Sequence, residues 1–75
     1  MSPVSSLDIL RFVAKRDEEH KNQFSMDELA MAFPNHDSDL LLEKLFDLKR
    51  MGLISRVGPW AYAPTQLGFD ELAKQ

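Results

Sequence analysis

Residues 38–54, SDLLLEKLFDLKRMGLI, constrain this chain more than any other stretch. An α-helix turns about 100° per residue. At that spacing Leu41, Leu45, Leu48 and Gly52 gather on one side, and Leu42, Phe46 and Leu53 extend the same face. The apolar sector is then about 160° wide, where a one-sided surface helix needs a stripe of roughly 100°. Gly52 suits the left-handed residue that closes a helix. From residue 53 to residue 57 the pattern changes to apolar–polar alternation, the mark of a strand. A long helix that must be covered from more than one direction and runs straight into a strand leaves few arrangements for the rest of the chain.

The flanking segments read as shorter elements. Ser5 or Ser6 caps a first helix, with Asp8 near its positive end. Leu7, Ile9, Leu10, Val13 and Ala14 form its inward stripe, and it is expected to stop near Arg16 or Asp17. Residues 17–23, DEEHKNQ, hold no apolar side chain and read as a solvated connector or the frayed end of the first helix. Phe24 then precedes a second capping box, in which Ser25 accepts from the backbone near Glu28 and Glu28 reaches back. This second helix covers residues 26–33, with Leu29, Ala30 and Phe33 inward, and Pro34 ends it. Asn35 suits the turn, and Asp37 or Ser38 caps the long helix. Gly58-Pro59 is a turn signal, so residues 54–63 form a tight hairpin with Trp60, Ala61, Tyr62 and Ala63 on the returning strand. Thr65 caps a last helix to which Leu67, Phe69 and Leu72 bring apolar contacts. Gly68 inside that helix costs about 1 kcal/mol against alanine, which a close approach to another backbone would explain. Pro3 should keep the first residues out of regular pairing.

This order gives an α+β, mainly α fold: three helices, a short two-stranded β wing and a C-terminal helix, a winged helix-turn-helix over residues 1–75 as one domain. The long helix ending in Met51-Gly52-Leu53-Ile54, with Leu48 four residues before Gly52, and the run Tyr62-Ala63-Pro64-Thr65-Gln66-Leu67-Gly68 resemble the winged-helix domains of bacterial MarR- and PadR-type transcriptional regulators. The resemblance covers about residues 5–75. It implies a recognition helix at residues 38–51 and DNA as partner. It also implies pairing through the helices that flank the domain, although those helices are short here.

Charge sits awkwardly with a groove-reading helix. The net charge is −3, whereas a dedicated DNA-binding domain is more often basic. In the first turns of the long helix the outward charges are Asp37, Asp39, Glu43 and Asp47 against Lys44. Cations come later, at Lys49, Arg50 and Arg56. The candidate DNA-contacting residues are therefore Ser38 and Lys44 near bases, Lys49, Arg50 and Arg56 on phosphates, and Trp60 beside the turn. The leading expectation is a small DNA-binding transcriptional regulator acting on double-stranded DNA, with a homodimer in view. The alternative is a winged-helix protein-interaction module that uses the acidic long-helix face and the aromatic wing. A third is a small accessory subunit docked on a larger nucleic-acid enzyme.

Other classes find little footing. The chain has no cysteine, which removes disulfides, thiolate zinc sites and cysteine nucleophiles. His20 and His36 stand in polar connectors without a third ligand at metal spacing. Ser25 is explained by capping, and the scattered glycines make no phosphate loop. The expectation is a non-enzymatic chain with no cofactor. No basic-then-apolar leader and no apolar run of about 18 residues is present, so a cytoplasmic setting without membrane contact is expected.

Overall fold

The computed structural model describes residues 5–74, and the expectation for Pro3 lies outside them. The architecture is α+β and mainly helical. It consists of α1 (Ser6–Glu18), α2 (Met26–Ala32), α3 (Ser38–Arg50), β1 (Ile54–Gly58), β2 (Ala61–Pro64) and α4 (Gln66–Ala73), with β1 and β2 in one antiparallel sheet.

Side-chain caps set where the helices begin. Ser5 Oγ accepts the Asp8 N–H at 3.3 Å while the Asp8 carboxylate accepts the Ser5 N–H at 3.2 Å. Together they satisfy two of the donors that a helix start leaves unpaired. α1 continues to Glu18, slightly past the expected stop. At α2, Ser25 Oγ accepts the Glu28 N–H. The expected return bond from Glu28 is replaced: its carboxylate takes the Arg16 guanidinium at 2.6 Å, and a charged donor outcompetes a neutral N–H. Phe33, at φ −132° and ψ 68°, leaves helical geometry ahead of Pro34. Asp37 Oδ1 then caps α3 by accepting the Asp39 N–H.

The end of α3 is closed by Gly52 at φ +78°. The Gly52 N–H donates to Lys49 O at 3.1 Å and the Leu53 N–H to Leu48 O at 3.0 Å, the pair of bonds that defines a Schellman cap. The chain leaves this cap directly into β1. Ile54, Ser55, Arg56 and Gly58 pair with Pro64, Ala63, Tyr62 and Ala61, and Val57 is bulged out between Arg56 and Gly58. Trp60 does not join the returning strand as expected. It occupies the two-residue loop with Pro59, at φ +56°, the proline-then-left-handed order of a type II turn.

Residues 17–23 are more than a solvated connector. Gln23 bridges Ala61 antiparallel, the Phe24 N–H donates to Trp60 O at 2.9 Å, and the Tyr62 N–H donates to Asn22 O at 3.2 Å. Arg16 locks this segment in place through Lys21 O at 3.0 Å and Gln23 O at 2.9 Å. From the side of residues 21–24 all of these bonds use backbone atoms, so polar side chains were compatible with them. Phe24 is fully in the core, edge-on to Phe12 at 5.1 Å and 5.7 Å from Tyr62.

The core joins Ile9, Leu10 and Val13 of α1 with Phe24, Leu29, Leu41, Leu45, Leu48, Ile54 and Tyr62. α4 closes it differently. Thr65 Oγ1 accepts the Gly68 N–H and donates to Gly52 O at 2.5 Å. A Cβ on Gly68 would stand 2.2 Å from Leu53 O. The helix therefore docks on the α3–β1 junction through a bare backbone. With the glycine at the centre of the contact, residues one step away are turned about 100° to the flanks. Leu67 and Phe69, expected with Leu72 to bring apolar contacts, are 59% and 46% exposed, and of the three Leu72 packs against the core.

Candidate macromolecule-binding surface

The buried side chains of α3, Leu41, Leu45 and Leu48, fix its inward direction. Phe46 lies about 130° from that direction and is 52% exposed, which corrects its expected place in the apolar sector. Leu40 moves the other way: expected among the outward residues, it packs against the rim of the core. The 160° sector runs from Leu48 to Phe46 and leaves Leu40 out, whereas the buried stripe centres on Leu41, Leu45 and Leu48 and is flanked by Leu40 on one side and Leu42 on the other.

The face opposite the core carries Asp39, Glu43, Phe46 and Arg50, with Asp47 beside them. Asp39 and Glu43 are exposed. Arg50 is an ion-pair partner of Asp47 on its own helix. Pairs of this spacing are worth only tenths of a kcal/mol, but the carboxylate offsets the charge that a phosphate would meet. Phe46 thus stands between Glu43 on the turn before it and the exposed Lys49 and Arg50 on the turn after it, with the other acids toward the start and side of the helix.

The other candidate residues are scattered by the same geometry. Ser38 is the first residue of α3 and exposed. Lys44, half-buried, and Lys49, exposed, flank the buried stripe on opposite sides, about 140° apart. Lys44 and Arg50 diverge by about 120°. Arg56 is exposed on β1, its Nε donating to Gly58 O at 3.3 Å. Trp60 is 45% exposed at the hairpin tip and forms one wall of a shallow recess with Gln23 and Glu28. Among the described residues, Lys44, Lys49 and Arg56 have no carboxylate within ion-pair distance. The hairpin thus brings Arg56 and Trp60 to one end of the molecule, while α3 spreads its lysines apart.

Groups suited to chemistry stay dispersed. His36 lies against Phe33 at 6.4 Å between ring centroids, and His20 sits in a left-handed turn at φ +59°. Among the described residues no group of three or more His, Cys, Asp or Glu side chains could hold a metal ion. No described helix is long and apolar enough to cross a membrane. Every buried side-chain nitrogen or oxygen among the described residues has a hydrogen-bond partner.

No family model, curated protein or solved structure matches this chain.

Two exposed aromatics escaped sequence reasoning. Phe46 was hidden by the width assigned to the apolar sector. Phe69 carried a usable signal: it directly follows Gly68, and a helix that docks by a glycine turns the next residue to its flank.

Proposed function

We propose that this chain is a winged helix-turn-helix domain that works by protein contact, with the outward face of α3 as its docking surface. Support for the winged-helix assignment comes from the order of elements. A helix, a bridged edge segment, a capped helix, a longer helix, a hairpin and a closing helix follow one another, and the Gln23–Ala61 bridge ties the edge segment to the hairpin. Support for protein contact comes above all from Phe46, half exposed where a groove-reading helix would present donors to bases. Asp39, Glu43 and Asp47 share the outer side of α3, and carboxylates in that position repel phosphates. Glu43, Lys49 and Arg50 lie one turn from the ring, and an aromatic anchor framed by charges of both signs fits a protein partner with an apolar pocket and a charged rim. The domain acts without catalysis or cofactor, and its partner binds through side chains rather than through chemistry.

One observation favours the second function, DNA binding by a transcriptional regulator. Arg56 has no carboxylate partner and stands on the hairpin whose tip carries Trp60, a combination suited to backbone or minor-groove contact. Site-specific photocrosslinking separates the two. With benzoylphenylalanine replacing Phe46 in one variant and Trp60 in another, irradiation in the native cell should yield a discrete protein adduct from position 46. Nucleic-acid adducts from both positions would sink the protein-contact function.

A further inference from the structure

The hairpin tip carries a side chain that the fold does not ask for. Trp60 sits at φ +56°, in the left-handed region that a bulky L-residue enters only at a cost. Glycine or asparagine would hold the same turn more cheaply. Burial does not repay the cost in full, because Trp60 is 45% exposed and walls a shallow recess rather than filling the core. The backbone around it is nevertheless tied down. Trp60 O accepts the Phe24 N–H at 2.9 Å, Gln23 bridges Ala61, and Arg56 Nε donates to Gly58 O at 3.3 Å. A strained residue fixed by its surroundings, with its ring left in water, is the pattern of a contact site. A tip held in this way also loses little freedom on binding.

Charge indicates what the tip would meet. Glu28, across the recess from Trp60, is already neutralised by Arg16 at 2.6 Å. Arg56, by contrast, has no carboxylate within ion-pair distance among the described residues. Its bond to Gly58 O uses Nε and leaves the forked end of the guanidinium for a partner. Val57, bulged out just before the turn, adds an aliphatic side chain that is 59% exposed. Tryptophan and arginine are the residue types that most often anchor protein contacts. A single cation is a poor basis for nucleic-acid binding, whose strength grows with each phosphate neutralised.

We infer that the hairpin tip docks on an acidic segment of a partner protein, with apolar side chains against Trp60 and Val57 and a carboxylate on the Arg56 guanidinium. This contact goes beyond the one proposed for α3: it uses other residues, and it stands even if the α3 face binds nothing.

Trp60 is the chain's single tryptophan, so its emission reports on the tip. The probes are a short peptide alternating aspartate and leucine, its lysine–leucine counterpart, and random duplex DNA. The aspartate peptide should shift the emission to the blue, saturably, although it approaches a chain of net charge −3. The lysine peptide and the DNA should not. Arg56→Gln should weaken aspartate-peptide binding by at least about threefold, whereas Phe46→Ala should leave it unchanged. Trp60→Gly, followed by the anisotropy of labelled peptide, should lose binding while its urea midpoint stays level or rises. No shift with the aspartate peptide up to millimolar, or an equal shift with the lysine peptide, overturns the acidic partner. A shift with DNA alone makes the tip a nucleic-acid contact and overturns the protein one. Binding that depends on Phe46 but not on Arg56 overturns the location. A lowered urea midpoint in Trp60→Gly shows that the ring serves the fold, and overturns its assignment as a contact residue.

Discussion

α3 and α4 both carry several large apolar residues, and they use them in opposite ways. In α3 the leucines at 41, 45 and 48 are fully buried and the outward face is charged. In α4 the buried residue is Gly68, while Leu67 and Phe69 are left in water. α3 is held by side chains filling a core. α4 is held by close backbone approach, a Thr65 hydroxyl bridging to the α3 cap, and one half-buried leucine. The lesson is that an apolar residue on a helix shows only that a face exists. The direction of that face is decided by whatever element the helix docks upon. In α4 that element is the Leu53 carbonyl, which admits no side chain at all.

The contrast can be broken by substitution. The largest effect belongs to α3: Leu45→Ala should cost about 2–5 kcal/mol of unfolding free energy, measured by urea denaturation, and a loss under about 1 kcal/mol would mean that its inward face is misassigned. Next comes Gly68→Ala. Its methyl group would overlap the Leu53 carbonyl, so α4 must shift, at about 1–3 kcal/mol, where an ordinary helix interior would gain stability from the same change. A neutral or stabilising outcome would remove the backbone docking of α4. Gly52→Ala follows, at about 1–2 kcal/mol for holding an L-residue in the left-handed region; thermal melts of the two glycine variants rank them directly. The smallest effect is expected from Leu67→Gln, within about 0.5 kcal/mol of the parent. A cost comparable to Leu45→Ala would show that α4 buries its apolar residues after all.

How much was legible in the sequence divides along similar lines. Local devices were open to reading: the Ser5–Asp8 box, the Ser25 and Thr65 caps, the break at Pro34, and Gly52 as a helix end. Each depends on residues three or four apart and on intrinsic backbone preference. The close approach at Gly68 was also legible, because a glycine inside a helix demands a reason. Contacts distant in sequence were not. The bridge from Gln23 to Ala61 is made by backbone groups that every residue possesses. Arg16 meets Glu28 twelve residues away, at no spacing that a helix pattern marks. Phe12 lay outside the stripe expected of α1, yet it packs against Phe24 and Phe33 at 5.1 and 6.1 Å. The acidity of the outward α3 face was visible beforehand. The exposure of Phe46 within it was not, and the docking surface proposed for that face rests on this residue.

The most direct test is a fluorescence anisotropy titration of the protein against random duplex DNA in low salt. A protein-contact function for α3 predicts no saturable binding at tens of micromolar protein, because carboxylates dominate the N-terminal turns of the helix, where phosphate-neutralising cations are needed. Non-specific DNA-binding proteins reach dissociation constants of roughly 10⁻⁴–10⁻⁶ M even at physiological salt. Binding in that range, falling steeply with added salt and lost in Arg56→Ala, would contradict it.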